Sequence, residues 1–241
     1  MVMSSMVDRS CKQPAAAATQ HVATGGSAVA PPWHTIALVT VILTVAAVGT
    51  LGGRSVSAPA PGVGSRLLSY GAMLAVQWGL LYYVCRAGRG ASALRALLGL
   101  RWDRASRAMG DLALALALFA AIVVIDSVWA GSRGVPASQL LPVTGIELPV
   151  WMLVAVSTGF CEEVVYRGYL QTQLTAFTRR AWAGAAMQAV LFGIAHADQG
   201  PAAVARVMTY GALLGLVAAR RRSLIPGIVA HVGIDVAAAF T

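Results

Sequence analysis

The sequence predicts an all-α fold, a polytopic transmembrane helical bundle of about seven spans. Composition is the first observation behind this. Of 241 residues, 58% are hydrophobic and 11% charged, whereas a soluble domain carries about 25% charged residues. A soluble chain of this length has too little interior to hide so much apolar surface. That excludes an ordinary cytosolic globule, a disordered chain and a disulfide-stapled secreted domain. The second observation is segmental: seven apolar stretches follow one another, suited to a hydrocarbon core about 30 Å thick. The third is the uneven charge of the connectors between them.

Residues 1–33 are rich in Ala, Ser, Thr and Gly. They hold no apolar run long enough for a signal peptide and read as a disordered tail. The first span is 34–53, uncharged from 35 onward, and a Pro/Gly-rich loop follows at 54–66. The second span is 67–85. Residues 86–108 form a basic connector with six arginines, in which Ala93–Trp102 reads as an amphipathic surface helix. The third span, 109–131, carries Asp111 and Asp126 near its ends. A loop with Pro136 and Pro142 leads to the fourth, 149–170. The fifth is 182–197, and DQGP at 198–201 is a turn with a helix-starting proline. The sixth is 202–219 and the seventh 224–241. The expected organisation is thus the tail, accessory helices over 34–148, and a catalytic core over 149–241.

With seven spans, the tail and the second, fourth and sixth connectors share one side of the membrane. That side holds 13 Lys and Arg against 3 on the other, with Arg167 and Arg206 inside spans. The positive-inside rule then predicts a cell-membrane protein with a cytoplasmic N-terminus and an external C-terminus. The net charge of +9 is explained by topology, so nucleic acid is not an expected partner; the bilayer is. Three cysteines, Cys11, Cys85 and Cys161, show no CxxC spacing, which argues against a disulfide framework or zinc knuckle. Cys161 abuts two glutamates but reads as a buried small hydrophobe.

Charges inside a bilayer cost at least ~2.5 kcal/mol each on insertion scales, so each needs a reason. The fourth span holds Glu162, Glu163 and Arg167 in FCEEVVYRGYL. Glu163 and Arg167 are four apart, on one helical face, with the acid N-terminal as an ion pair prefers. They are either part of a site or an ion network that only pins helices together. Glu162 lies ~100° around the helix and has no local partner, which suits a general base. His196 ends LFGIAHA in the fifth span, with Phe192 one turn before it. His231 and Asp235 lie four apart in VAHVGID of the seventh. A hairpin between the fourth and fifth spans, turning at Arg179-Arg180, brings Glu162 and His196 to equal depth. His231, nine residues past Arg222, lies ~13 Å into the membrane.

No GxSxG elbow and no HExxH motif is present. The ingredients match water activation: Glu162 accepts a proton and His196 positions the water, while His231 and Asp235 face the developing oxyanion. Glu162, His196 and His231 also form a zinc set, although Arg167 opposes a cation there unless Glu163 neutralises it. A proton-coupled transporter uses similar residues, but no inverted repeat supports one.

Three motifs, Glu162-Glu163-Val-Val-Tyr-Arg167, Phe192-Gly-Ile-Ala-His196 and His231-Val-Gly-Ile-Asp235, match EExxxR, FxxxH and HxxxN/D. Over about residues 149–240 the chain therefore resembles the CPBP (Abi) intramembrane proteases, which include the type II CAAX prenyl endopeptidases. The resemblance implies an endopeptidase that hydrolyses a membrane-associated peptide or protein. It implies a catalytic set of Glu162, Glu163, Arg167, His196, His231 and Asp235. Glu162 and His196 would activate water, and His231 and Asp235 would stabilise the oxyanion. Asp235 stands where the prenyl endopeptidases usually carry Asn, and an ionised Asp cannot donate the same hydrogen bond. Many members of the family are labelled metalloproteases. The preferred mechanism needs no metal, with zinc as the alternative. The CAAX substrate itself is not carried over. The competing function is a non-enzymatic peptide-binding or bacteriocin-immunity membrane protein.

Overall fold

The computed structural model describes residues 28–52, 61–87, 98–99, 103–129 and 139–240. Among them the chain is helical, with no strand. Helix α1 is Pro32–Leu51, α2 Val63–Ala87 and α3 Ala105–Val128. The longest element begins as α4, Glu147–Glu162, passes through a π-helical stretch at Glu163–Leu170, and ends as α5, Gln171–Thr178. Then come α6, Ala181–Ile194, α7, Pro201–Arg221, and α8, Ile225–Ala237. The expected tail lies outside the described residues up to residue 27. Of the expected surface helix at 93–102, only Leu98 and Gly99 are described.

All seven apolar segments are helical, but five of them are long and apolar enough to cross a membrane: Pro32–Leu51, Val63–Ala87, Ala105–Val128, Glu147–Thr178 and Pro201–Arg221. Helix α6 has 14 residues, or ~21 Å against the ~30 Å core. Helix α8 has 13, with a 3₁₀ turn after it. Both are held by protein: α6 packs on α7, and α8 packs on α3 and α4. Of the about seven spans expected, five are thus long enough by themselves, and the other two are short apolar helices seated against them. The chain is a multi-pass membrane protein.

Boundaries shift where polar residues find partners inside the bundle. The loop expected at 54–66 is already helix from Val63, because Arg66 is buried and pairs with Glu147 at 2.6 Å. Glu147 also accepts from the backbone N–H of Val143 and Thr144, both at 2.9 Å. The fourth segment runs eight residues beyond Leu170, because Gln171 and Gln173 are buried and bonded rather than exposed. Gln173 Oε1 accepts from Val29 N and Ala30 N, and its Nε2 donates to Ala30 O and Thr35 Oγ1. This fastens the start of α1 to α5.

Small residues and ion pairs set the remaining contacts. A Cβ on Gly211 would stand 3.0 Å from Ala189 Cα, and one on Gly215 would stand 2.5 Å from Gln188 Nε2. Helices α6 and α7 therefore approach through a small-residue stripe, and Gln188 donates across it to Gly211 O at 2.8 Å. Asp126 of α3 holds Arg206 of α7 at 3.3 Å and accepts from Tyr210 at 2.6 Å. Asp111 holds Arg221 at 2.6 Å. Leu98 O accepts from Leu224 N, and Tyr83 donates to His34 O. The start of α1 thus lies beside the end of α2, and Leu98 beside the α7–α8 turn.

Candidate active site

The hairpin that sequence places at Arg179-Arg180 is present. Helix α5 ends at Thr178, Arg179 takes a left-handed conformation (φ 57°), and α6 starts at Ala181. Opposite ends of this hairpin carry Glu162 and His196, and both line one pocket. Counting the space at its open mouth, it offers about 590 Å³ free of atoms. Its other walls come from α1 (Ile42, Val45), α2 (Val76, Gln77, Leu80) and the long fourth element (Cys161, Val165, Tyr166). Cys161 is 1% exposed and free, as expected of a buried small side chain.

The π-helical stretch starts at Glu163, and all eight of its residues are buried. Its i→i+5 turns widen the helix where the charged residues sit, a feature that recurs at functional sites. Glu163 and Arg167 form the expected ion pair, with Glu163 Oε1 at 3.0 Å from Arg167 Nη1 and both side chains fully buried. The same Oε1 accepts from His231 Nδ1–H at 3.2 Å, which fixes the tautomer of that ring. His231 Nε2 then stands 3.8 Å from both Glu162 Oε2 and Asp235 Oδ2. Glu162 Oε2 is itself buried and has no hydrogen-bond partner among the described residues. The structure therefore brings Glu162, Glu163, Arg167, His231 and Asp235 into one cluster. Glu162 makes no ion pair on its own helix among the described residues, and His231 of α8 lies 3.8 Å from it.

His196 joins the pocket from the turn that follows α6. Its Nδ1–H donates to the Phe192 carbonyl at 2.8 Å. A carbonyl only accepts, so in the neutral ring Nε2 keeps its lone pair. Phe192 organises the site more than its motif position announces. Its ring centroid lies 4.9 Å from that of Tyr166, 5.0 Å from His196 and 6.1 Å from His231. The Arg167 guanidinium carbon lies 4.1 Å over its face, a cation–π contact in a desolvated setting. Sequence reasoning named Phe192 only as the motif's first letter, and it missed Gly227 altogether. A Cβ there would stand 2.7 Å from Glu163 Oε2, so a glycine lets α8 close on the buried carboxylate. Gly159 does the same further along, where a Cβ would meet the backbone of Val232. No one-dimensional period signals either contact.

Zinc would need Glu162, His196 and His231 drawn into one ligand set. Among the described residues no group of three or more His, Cys, Asp or Glu is placed to hold a metal ion. His231 is turned instead between carboxylates. The donor arrangement does not fit the zinc set read from the sequence.

The described residues thus form an all-helical bundle with buried carboxylates and imidazoles beside a pocket. The family model described as Type II CAAX prenyl endopeptidase Rce1-like matches residues 144–237. This span contains all three motifs, so the resemblance read from them and the family match fall on the same residues. At the level of the family, the match supports an intramembrane protease of the CAAX type. No curated protein and no solved structure matches the chain.

Proposed function

We propose that the protein is an intramembrane endopeptidase that cleaves a membrane-associated peptide or protein, with Glu162 and His196 activating the water. One observation carries this reading: Glu162, whose buried Oε2 has no hydrogen-bond partner among the described residues, lines the same pocket as His196. Water seated there donates to His196 Nε2 and gives its proton to a Glu162 carboxylate oxygen. The hydroxide oxygen attacks the carbonyl carbon of the peptide. His231, when protonated, donates from Nε2 to the oxyanion. Collapse re-forms the C=O, breaks the C–N bond, and returns the proton from Glu162 to the leaving amine.

In this reading Glu163 and Arg167 do not touch substrate. Glu163 holds His231 by its Nδ1–H, and Arg167 balances the charge of Glu163. Asp235 faces the same side of His231 as Glu162 and keeps that nitrogen oriented. The scheme is metal-free, and the donor arrangement around His231 supports that choice. We place the protein in the cell membrane with its Arg-rich end cytoplasmic. An external C-terminus requires both short helices, α6 and α8, to cross.

The test is cleavage in proteoliposomes, with substrates found by comparing membrane peptides from cells with and without the protein. Glu162→Gln and His196→Ala each abolish cleavage while inserting normally. Full cleavage by both variants would refute the mechanism. A partner-binding or immunity phenotype that survives Glu162→Gln would instead favour a non-enzymatic role.

A further inference from the structure

The EExxxR pattern leaves position 166 open, and here it holds a tyrosine within the buried π-helical stretch. Tyr166 lies four residues past Glu162, one turn along the same face. Both line the pocket, together with His196. The Tyr166 ring is held by Phe192 in an edge-to-face contact, with centroids 4.9 Å apart and planes at 69°. Its hydroxyl makes no hydrogen bond with the described residues, yet it is not among the polar atoms sealed from open space. The residue as a whole is 4% exposed, so the surface left to that oxygen is the pocket it lines.

The other polar groups on the pocket wall are committed. His196 turns Nδ1–H to the Phe192 carbonyl at 2.8 Å, and Gln77 turns Nε2 to Thr158 Oγ1 at 2.6 Å. An ionised Glu162 only accepts, and the Cys161 thiol is a weak donor. A carbonyl drawn in beside Glu162 and His196 therefore meets one strong neutral donor on the wall. A phenol, with a pKa of about 10, keeps its proton at neutral pH, so it donates without a buried charge. His231 must be protonated to do the same. We propose that Tyr166 donates its O–H to the carbonyl oxygen of the bond under attack, as an oxyanion donor beside His231. The hydroxide oxygen bonds to the carbonyl carbon, the C=O electron pair moves onto oxygen, and the phenol hydrogen bond strengthens as that charge grows. The proton stays on the phenol. Tyr166 is then a catalytic residue that the three motifs do not name. The nature of the carbonyl rests on the endopeptidase reading, and the free hydroxyl does not.

The experiment uses the full chain in lipid nanodiscs. The probes are apolar dodecapeptides ending in a trifluoromethyl ketone and the same peptides ending in a carboxamide. The ketone takes up the water, whose proton passes to Glu162, and leaves an oxyanion where the tetrahedral intermediate has one. The carboxamide does not. The expected result is a ketone that binds better than its carboxamide, and a preference that Tyr166→Phe cuts by about 100-fold, the scale of one oxyanion donor. Carboxamide binding stays within about threefold, and melting is unchanged, because the ring keeps its contact with Phe192. A difluorotyrosine placed at position 166 keeps the hydroxyl but makes it more acidic. The preference should then fall away at lower pH than in the wild type, and this variant serves if Tyr166→Phe does not fold. The proposal is overturned if no ketone is preferred, if the preference survives Tyr166→Phe, if carboxamide binding falls by the same factor, or if the difluorotyrosine leaves the pH profile in place. Cleavage of the same peptide sequences separates the two ideas. A Tyr166-dependent preference without cleavage sinks the endopeptidase reading alone. Cleavage with a kcat indifferent to Tyr166→Phe sinks this one alone.

Discussion

Removing Glu163 alone strands Arg167, and the size of the effect follows from burial. Both side chains are fully buried and 3.0 Å apart, inside a segment that crosses the membrane. Breaking a buried pair from one side costs about 3–5 kcal/mol, because the remaining charge is uncompensated, whereas replacing both partners by apolar residues is often neutral. Glu163→Leu is therefore expected to destabilise by about 3–5 kcal/mol, and Arg167→Leu by a similar amount. The double variant should recover at least half of either loss, a coupling well above the ~0.5 kcal/mol of independent sites. The assay is unfolding in mixed micelles followed by the fluorescence of the six tryptophans. Peptide cleavage is measured beside it. The recovered double variant should still be inactive, because His231 has lost the carboxylate that orients its Nδ1–H. Additive losses, or single losses below about 1 kcal/mol, would refute the buried-pair argument. Full activity in the double variant would refute the orienting role.

Gly227→Ala should destabilise by about 1–3 kcal/mol through overpacking, since its Cβ would stand 2.7 Å from the pinned Glu163 Oε2. Gly71→Ala on α2, where nothing lies within 4 Å, should instead stabilise by about 0.5–1 kcal/mol; melting in nanodiscs compares the two. Asp126→Ala should cost more than Tyr210→Phe, about 3–5 against about 1 kcal/mol, because only the first leaves buried Arg206 without its counter-ion; equal losses in the micelle assay would count against this. Gln173→Ala should free the start of α1. Hydrogen exchange at Val29 and Ala30 should rise while exchange within α3 is unchanged.

Much of the bundle was legible because long apolar runs and Arg-rich connectors are one-dimensional signals. The turn at Arg179 and the proline-started helix after Gly200 lie where local chemistry puts them. The span count was less legible: α6 and α8 look like spans by composition, but their ends are set by packing on α3, α4 and α7. The ends of α2 and α5 were misplaced for a related reason. Arg66, Gln171 and Gln173 read as loop-like polar residues until their partners are seen across the bundle. Within the site, spacing placed Glu163 against Arg167 and matched Glu162 with His196 in depth. It could not give the rotation of α8, which turns His231 toward both glutamates.

The amino-acid order alone determined that the chain belongs in a bilayer, where its helices run and which ionisable residues lie at comparable depth. Hydropathy and residue spacing measure position along a helix axis, and depth is that same coordinate. Tertiary structure alone decided direction around each axis: the π-helical widening at Glu163, the closure of α8 over Gly227 and the hub made by Phe192. Those depend on which helix faces which, and that choice is made by close packing among residues far apart in the chain.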